Sequence, residues 1–132
     1  MKKELIIKNE QSESFSLKAR LRSVRCAYEG LSAFFATQHN AIIHLVLTII
    51  AFMAAIFFDV GKTDMIAIII VTALVWLAEL FNTAVEKLAD LVSKDFDPRT
   101  KFIKDVSAAA VLLSAIAALI IGAIIFIPKL LQ

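Results

Sequence analysis

Eighteen consecutive residues, Ala41 to Phe58 (AIIHLVLTIIAFMAAIFF), carry no full charge, and this run constrains the fold more than any other feature. The hydrocarbon core of a bilayer takes a helix of about 17–25 apolar residues. The segment therefore suffices to span a membrane, near the short end of that range. Two more such blocks follow, from Met65 to about Val85 and from Phe102 to about Ile127. Three blocks in a chain of 132 residues cannot cover one another, because a small domain leaves too much of its surface outside. Lipid must cover them. Hydrophobic residues make up 60% of the chain, against about 45–50% in soluble domains, and the excess sits in these blocks. The expectation is an all-α membrane protein of one domain, residues 15–132, behind a polar and disordered tail, residues 1–14.

Between the tail and the first span, residues from Phe15 to about Thr37 read as a further helix. Leu21, Val24, Tyr28, Leu31 and Phe35 form one stripe, with Lys18, Arg22 and Arg25 on the adjoining face. Such an amphipathic helix suits the headgroup region, and packing on the protein's own bundle fits equally. Asp59 to Asp64 reads as a tight polar turn between the first two spans. Pro98 suits the first turn of the third helix, and Pro128 and Lys129 mark its far end. No apolar run opens the chain, so no cleavable signal peptide is expected. Cys26 is the single cysteine, which excludes an internal disulfide.

Seven of the fourteen Lys and Arg residues precede the first span and five lie between Lys87 and Lys104; the first turn and the C-terminal tail hold one each. By the positive-inside tendency, the N-terminus and the 87–104 segment are cytoplasmic, and the 59–64 turn and the C-terminus are then outside. The net charge of +2 gives no reason to expect a nucleic-acid partner. In the third span Ala110, Ser114, Ala118 and Gly122 recur at four-residue steps, a spacing that lets helix backbones approach closely in lipid. Three thin helices enclose little, so a homo-oligomer sharing its polar interior is expected.

The segment ALVWLAELFNTAVEKLADLV carries the chemistry. Glu79, Asn82, Glu86 and Asp90 fall within about 80° of one another at about 100° per residue. A carboxylate inside a membrane helix costs roughly 2.5 kcal/mol or more, so this stripe faces protein or water. Three readings compete: Glu79 as a hydrogen-bonded lock between helices, an ion or proton path, and a catalytic site. In the catalytic reading a deep carboxylate serves as general base and a shallower one binds a cation.

Phosphoryl transfer needs a divalent ion, positive donors around the phosphates and a base near the acceptor hydroxyl. Glu86 is a hard oxygen ligand suited to Mg²⁺, and Lys104, in TKFIKDVSAAA, can reach phosphate oxygens. Asp105 beside it can equally serve the helix start, and Lys104 can be a topogenic charge. Only Gly30, Gly61 and Gly122 are glycines, so a Walker-type or protein-kinase-type phosphate loop is excluded. His39 and His44 have no matching His or Cys at ligand spacing, so interfacial packing is their default.

The run Glu79-Leu-Phe-Asn82-Thr-Ala-Val-Glu86, followed by Asp90 and by Lys104-Asp105 before Ala109-Ala-Val-Leu, resembles the prokaryotic diacylglycerol kinase family. That family includes the undecaprenol kinases of Gram-positive bacteria. The likeness extends to Arg22–Gly30 and Asn40–His44 and covers roughly residues 15–128. It implies a homotrimer, each subunit with an N-terminal amphipathic surface helix and three transmembrane helices. It also implies transfer of the ATP γ-phosphoryl group to a lipid alcohol, diacylglycerol or undecaprenol. Carried over by position, Glu79 would be the general base, Glu86 a Mg²⁺ ligand, and Asn82 a residue that shapes the site. Asp90, Lys104 and Asp105 would hold the nucleotide. Asp95 and Asp97 match a loop that approaches it, and Arg20 or Arg22 the N-terminal basic positions.

One position departs from the pattern. The family usually has Glu as a second metal ligand where this chain has Gln38, which offers a carbonyl oxygen without charge. Glu29, nine residues earlier on a continuous helix, would face the opposite side and cannot replace it. Gln38 is therefore expected to coordinate more weakly. Asp97-Pro-Arg-Thr-Lys101 and the Gly122 to Pro128 tail look more like the undecaprenol kinases than the enterobacterial-type enzyme. The rivals to the kinase reading are an ion-conducting oligomer and a membrane scaffold, both using the same carboxylates.

Overall fold

The computed structural model describes residues 16–93 and 95–131; the tail expected to be disordered, residues 1–14, lies outside them. Four helices follow in order: α1, Leu17–Thr37; α2, His39–Phe57; α3, Lys62–Val92; and α4, Pro98–Leu130. The last three are each long and apolar enough to cross a membrane, which makes the chain an all-helical membrane protein. The chain divides into two compact units at residue 36, and α1 falls almost wholly in the first.

Helix α1 starts at Leu17 rather than Phe15, because Ser16 caps it. The Ser16 carbonyl accepts from Arg20 N at 3.1 Å and its Oγ from Ala19 N at 3.4 Å. Leu21, Val24 and Tyr28 of the expected stripe are all exposed along it. Arg25 and Glu29 pair at 2.7 Å one turn apart. Helix α1 is not continuous with the first span. Gln38 stands between α1 and α2 in extended backbone, φ −107° and ψ 113°. Glu29 and Gln38 therefore do not share one continuous helix.

In the unit from Thr37 onward, α2 ends in a Schellman motif. Asp59 takes the left-handed conformation, φ 45°, that helix C-termini usually give to glycine or asparagine. Its N–H donates to Ile56 O at 3.2 Å and that of Val60 to Ala55 O at 3.1 Å. Val60 then packs beside Ala55 in the apolar cluster, the hydrophobic contact that accompanies this motif. The turn is thus residues 58–61, shorter than the polar segment 59–64. Lys62, Thr63 and Asp64 enter the first turn of α3, where the Asp64 carboxylate suits the positive helix end.

Ala55, Ile68 and Ile125 are buried beside this turn, with Phe52, Met65, Ile121 and Phe126 packed around them. Lipid would cover these side chains as well as protein does, so what the cluster gains is van der Waals packing rather than transfer from water. Ala55 is 1% exposed, and a larger side chain there would overpack the contact at a cost of about 1–3 kcal/mol. Large side chains such as Leu113 and Leu119 point outward, as lipid-facing residues do.

Helix α3 runs past Val85 to Val92, because the same stripe that buries it changes character instead of ending. Ile68, Val71, Val75 and Glu79 are buried at steps of three or four residues, and Asn82 and Glu86 continue the series. Helix α4 begins at Pro98, as expected, and runs to Leu130. Pro128 lies inside its last turn, where the helix stops within two residues. The close helix approach expected at Gly122 is not made within the chain, since a Cβ there would meet nothing within 4 Å. Ser114 of the same row is buried instead.

Candidate active site

The polar half of the α3 stripe meets the start of α4. Glu86 is an acceptor-only carboxylate, so the group of Asn82 that faces it must be the amide nitrogen. Asn82 Nδ2 donates to Glu86 Oε1 at 2.9 Å. This turns Asn82 Oδ1 the other way, where the Ser107 hydroxyl of α4 donates to it at 2.7 Å. The Lys104 carbonyl also lies 2.9 Å from that hydroxyl, which has one proton for two acceptors. One turn further, Lys104 Nζ donates to Asp90 Oδ1 at 2.6 Å and ties α4 to the end of α3. The side chains of that pair are 36% and 59% exposed, so water and salt screen it and it adds little to stability. Its weight is positional: it holds an ammonium group above Glu86.

The structure therefore brings Asn82, Glu86, Asp90 and Lys104 together at one end of the α3–α4 pair. Asp105 pairs with Lys101 one turn apart on the exposed face of α4. Asp97 is the N-cap of α4: its Oδ1 accepts from Arg99 N at 2.8 Å and its Oδ2 from the Arg99 guanidinium at 3.0 Å. The Arg99 side chain, and then its backbone N–H, hold the Asp97 carboxyl below the usual carboxylate range. Asp95 is exposed in the connector, its carbonyl accepting from Ser93 Oγ at 2.8 Å. Gln38 caps α2 with its backbone alone, its side chain reaching Thr37 Oγ1 at 3.4 Å. Arg20 and Arg22 lie on α1, in the other unit.

Glu79 sits one turn deeper on α3, with its side chain 3% exposed. Its Oε1 is 2.8 Å from His44 Nε2 of α2, within ion-pair distance. Among the described residues Oε1 has no hydrogen-bond partner. His44 opens on a cleft of about 490 Å³ between α2, α3 and α4, lined mainly by apolar side chains with Thr48 and Thr72. A second groove, about 620 Å³, runs between α3 and α4 from Leu74 to Asn82 and Ser107.

Two residues of this constellation were not singled out by the sequence. Ser107 stands three residues after Lys104, one turn along the same face, and that spacing was the available signal. His44 read as interfacial packing. A hairpin with a short turn brings residues at similar distances from the turn level with each other, which sets His44 near Val75, one helical turn from Glu79.

A helical unit of three membrane-crossing segments, with acids and a lysine gathered at one end and a buried acid beneath them, defines a small polytopic membrane protein with a built polar centre. The chain belongs to the prokaryotic diacylglycerol kinase family, whose sequence profile matches residues 25–126. It is similar to a diacylglycerol kinase of Synechocystis sp. (strain ATCC 27184 / PCC 6803 / Kazusa), 38% identical over 113 residues. That alignment covers 85% of this chain and 65% of the relative, a little under two thirds of its length. It is also similar to the undecaprenol kinase of Bacillus subtilis (strain 168), 30% identical over 94 residues, covering 71% of this chain and 76% of that protein.

Proposed function

We propose that this chain is a lipid kinase that transfers the γ-phosphoryl group of ATP to the hydroxyl of a membrane lipid alcohol, diacylglycerol or undecaprenol. The observation that carries the reading is the chain of contacts Glu86–Asn82–Ser107 with Lys104–Asp90, which gathers hard oxygens and an ammonium group at the rim of an apolar bundle, one turn from buried Glu79. Family membership supports phosphoryl transfer as the chemistry such a rim serves.

Glu79 is the general base: its carboxylate takes the proton of the lipid hydroxyl as the oxygen forms its bond to the γ-phosphorus. The bond from that phosphorus to the β–γ bridging oxygen breaks, and ADP leaves. Lys104 neutralises charge on the phosphates, and Asn82 fixes the Glu86 carboxylate. Asp90 and Asp105 position the lysines beside the nucleotide. By the family's pattern, Asp97, Asp95 and the basic residues Arg20 and Arg22 are nucleotide-binding positions.

Mg²⁺ fits the donor set. It is bound through one or two carboxylates together with substrate phosphates and water rather than by an all-protein cage. Among the described residues no three His, Cys, Asp or Glu converge, whereas Glu86 has one oxygen held by Asn82 and hard-oxygen chemistry to offer. Glu86, with the Gln38 carbonyl as a weaker second donor, would hold the ion, which when bound neutralises the phosphate charge. Orientation follows from the basic residues: the N-terminus and the Lys87–Lys104 end face the cytoplasm, the site with them. Helix α1 lies at the headgroup surface of the inner membrane, and three copies form a homotrimer around the shared polar interior.

The test is parallel incubation of the purified protein in detergent micelles with Mg²⁺, γ-labelled ATP and either diacylglycerol or undecaprenol. Label on one lipid supports the reading and identifies the substrate. Label on neither, with the protein folded, refutes it.

A further inference from the structure

The buried pair on α2 and α3 deepens the kinase reading and rests on it. Glu79 lies inside the apolar bundle with Oε1 lacking a hydrogen bond, and His44 Nε2 is 2.8 Å away. The imidazole is itself braced. Its ring meets that of Trp76 in an edge-on arrangement at 6.3 Å, and Trp76 Nε1 donates to Thr48 Oγ1 at 3.1 Å, one turn along α2 from His44. The cleft on which His44 opens is lined from α3 by Thr72 and Val75 and from α4 by Ala115, Ala118 and their neighbours, none of them titratable. Among the described residues Glu79 is thus the titratable group that His44 meets.

A carboxylate whose hydrogen bonds are unmade has no preferred rotamer about its terminal torsion, which is broad and two-fold. A general base has to stand within hydrogen-bond reach of one particular proton. We propose that His44 is the positioning residue of this site, its Nε2–H fixing Glu79 Oε1 so that Oε2 is the oxygen that takes the lipid hydroxyl's proton. The hydrogen bond unmade in the free chain forms when substrate enters, as catalytic hydrogen bonds commonly tighten then. The proton moves from the lipid hydroxyl to Oε2 while the lipid oxygen bonds to the γ-phosphorus, the bond to the β–γ bridging oxygen breaks and ADP departs. His44 keeps its own proton throughout. Because Oε1 only accepts, it selects the imidazole tautomer protonated on Nε2.

The experiment uses the full chain in detergent micelles. His44→Ala should lower kcat by about 10- to 100-fold, the cost of a base displaced by about an ångström, with KM for Mg-ATP unchanged. His44→Gln, whose amide can donate to the same oxygen, should recover most of the loss, and thermal unfolding checks that both variants fold. A second readout is independent of activity. The chain has two histidines, so the ¹⁵N imidazole spectrum carries His44 with His39 as internal control. Glu79→Gln should displace the His44 Nε2 resonance and leave those of His39 in place. An active wild type with kcat unchanged in His44→Ala, or a His44 resonance that ignores Glu79→Gln, overturns the inference. An inactive wild type overturns the kinase reading instead.

Discussion

Replacing Ser107 with Ala removes a single hydroxyl and probes the whole rim. The hydroxyl donates to Asn82 Oδ1, and Asn82 in turn holds Glu86 Oε1. Without it Asn82 Oδ1 loses its partner on α4, and the amide that donates to Glu86 is held less firmly. A hydrogen bond contributes about 0.5–1.5 kcal/mol net. Polar contacts between membrane helices average about 0.6 and reach about 1.7 kcal/mol. Ser107 and Asn82 are half-buried and the contact is short, so about 1 kcal/mol is the appropriate figure. At about 1.4 kcal/mol per tenfold that is about fivefold. It should appear as a fivefold higher Mg²⁺ requirement in initial-rate assays at fixed ATP, with a small fall in the thermal midpoint. Ser107→Thr keeps the hydroxyl and should restore both. Asn82→Ala alone should cost more, and the double variant should lose less than the two single losses together, because both act through one contact. Strict additivity, or a Ser107→Thr variant no better than Ser107→Ala, would refute the chain of contacts as the means by which Glu86 is held.

Glu79→Gln should abolish phosphoryl transfer while leaving helix content and nucleotide-analogue binding intact; near-wild-type turnover would remove Glu79 from its role. Gln38→Glu should lower the Mg²⁺ concentration needed for half-maximal rate by restoring a charged donor, and an unchanged requirement would mean that position 38 does not ligate. Asp97→Asn keeps a competent cap but drops the charge that Arg99 meets. Since the folded chain holds this carboxyl below its ordinary value of 3.8, the stability it adds is present above that value and lost as pH falls through the folded one. The wild type should thus outlast Asp97→Asn in thermal unfolding at pH 7, and the gap should close below about pH 4; a gap that persists in acid would assign it to the cap alone.

The three crossing helices were legible because hydrocarbon sets both length and composition, and an uncharged run such as Ala41–Phe58 has few other fates. Glu79, Asn82, Glu86 and Asp90 were legible for a related reason: an acid inside an apolar helix has to be explained, and helical period puts the others beside it. Where sequence reasoning ran short, the missing information was tertiary. Nothing in TKFIKDVSAAA says that the Ser107 hydroxyl reaches across to Asn82 as well as lying against the Lys104 carbonyl of its own helix. His44 looked like a border residue until the structure set it beside Glu79. The turn was misplaced because a polar stretch, Lys62 to Asp64, can begin a helix as readily as end a loop. Gln38 was read as part of a continuous helix because propensity alone carries no mark of the break that backbone geometry makes there.

The brevity of the α2–α3 connection bears on how the chain enters a bilayer. Residues 58–61 leave neither helix room to wait outside while the other crosses, so the two insert together as a hairpin. They arrive with their polar side chains already matched, Thr48 with Trp76 and His44 beside Glu79. The acid of the α3 stripe is thus escorted into hydrocarbon by its own neighbour, at the moment when a lone carboxylate would most strongly resist going.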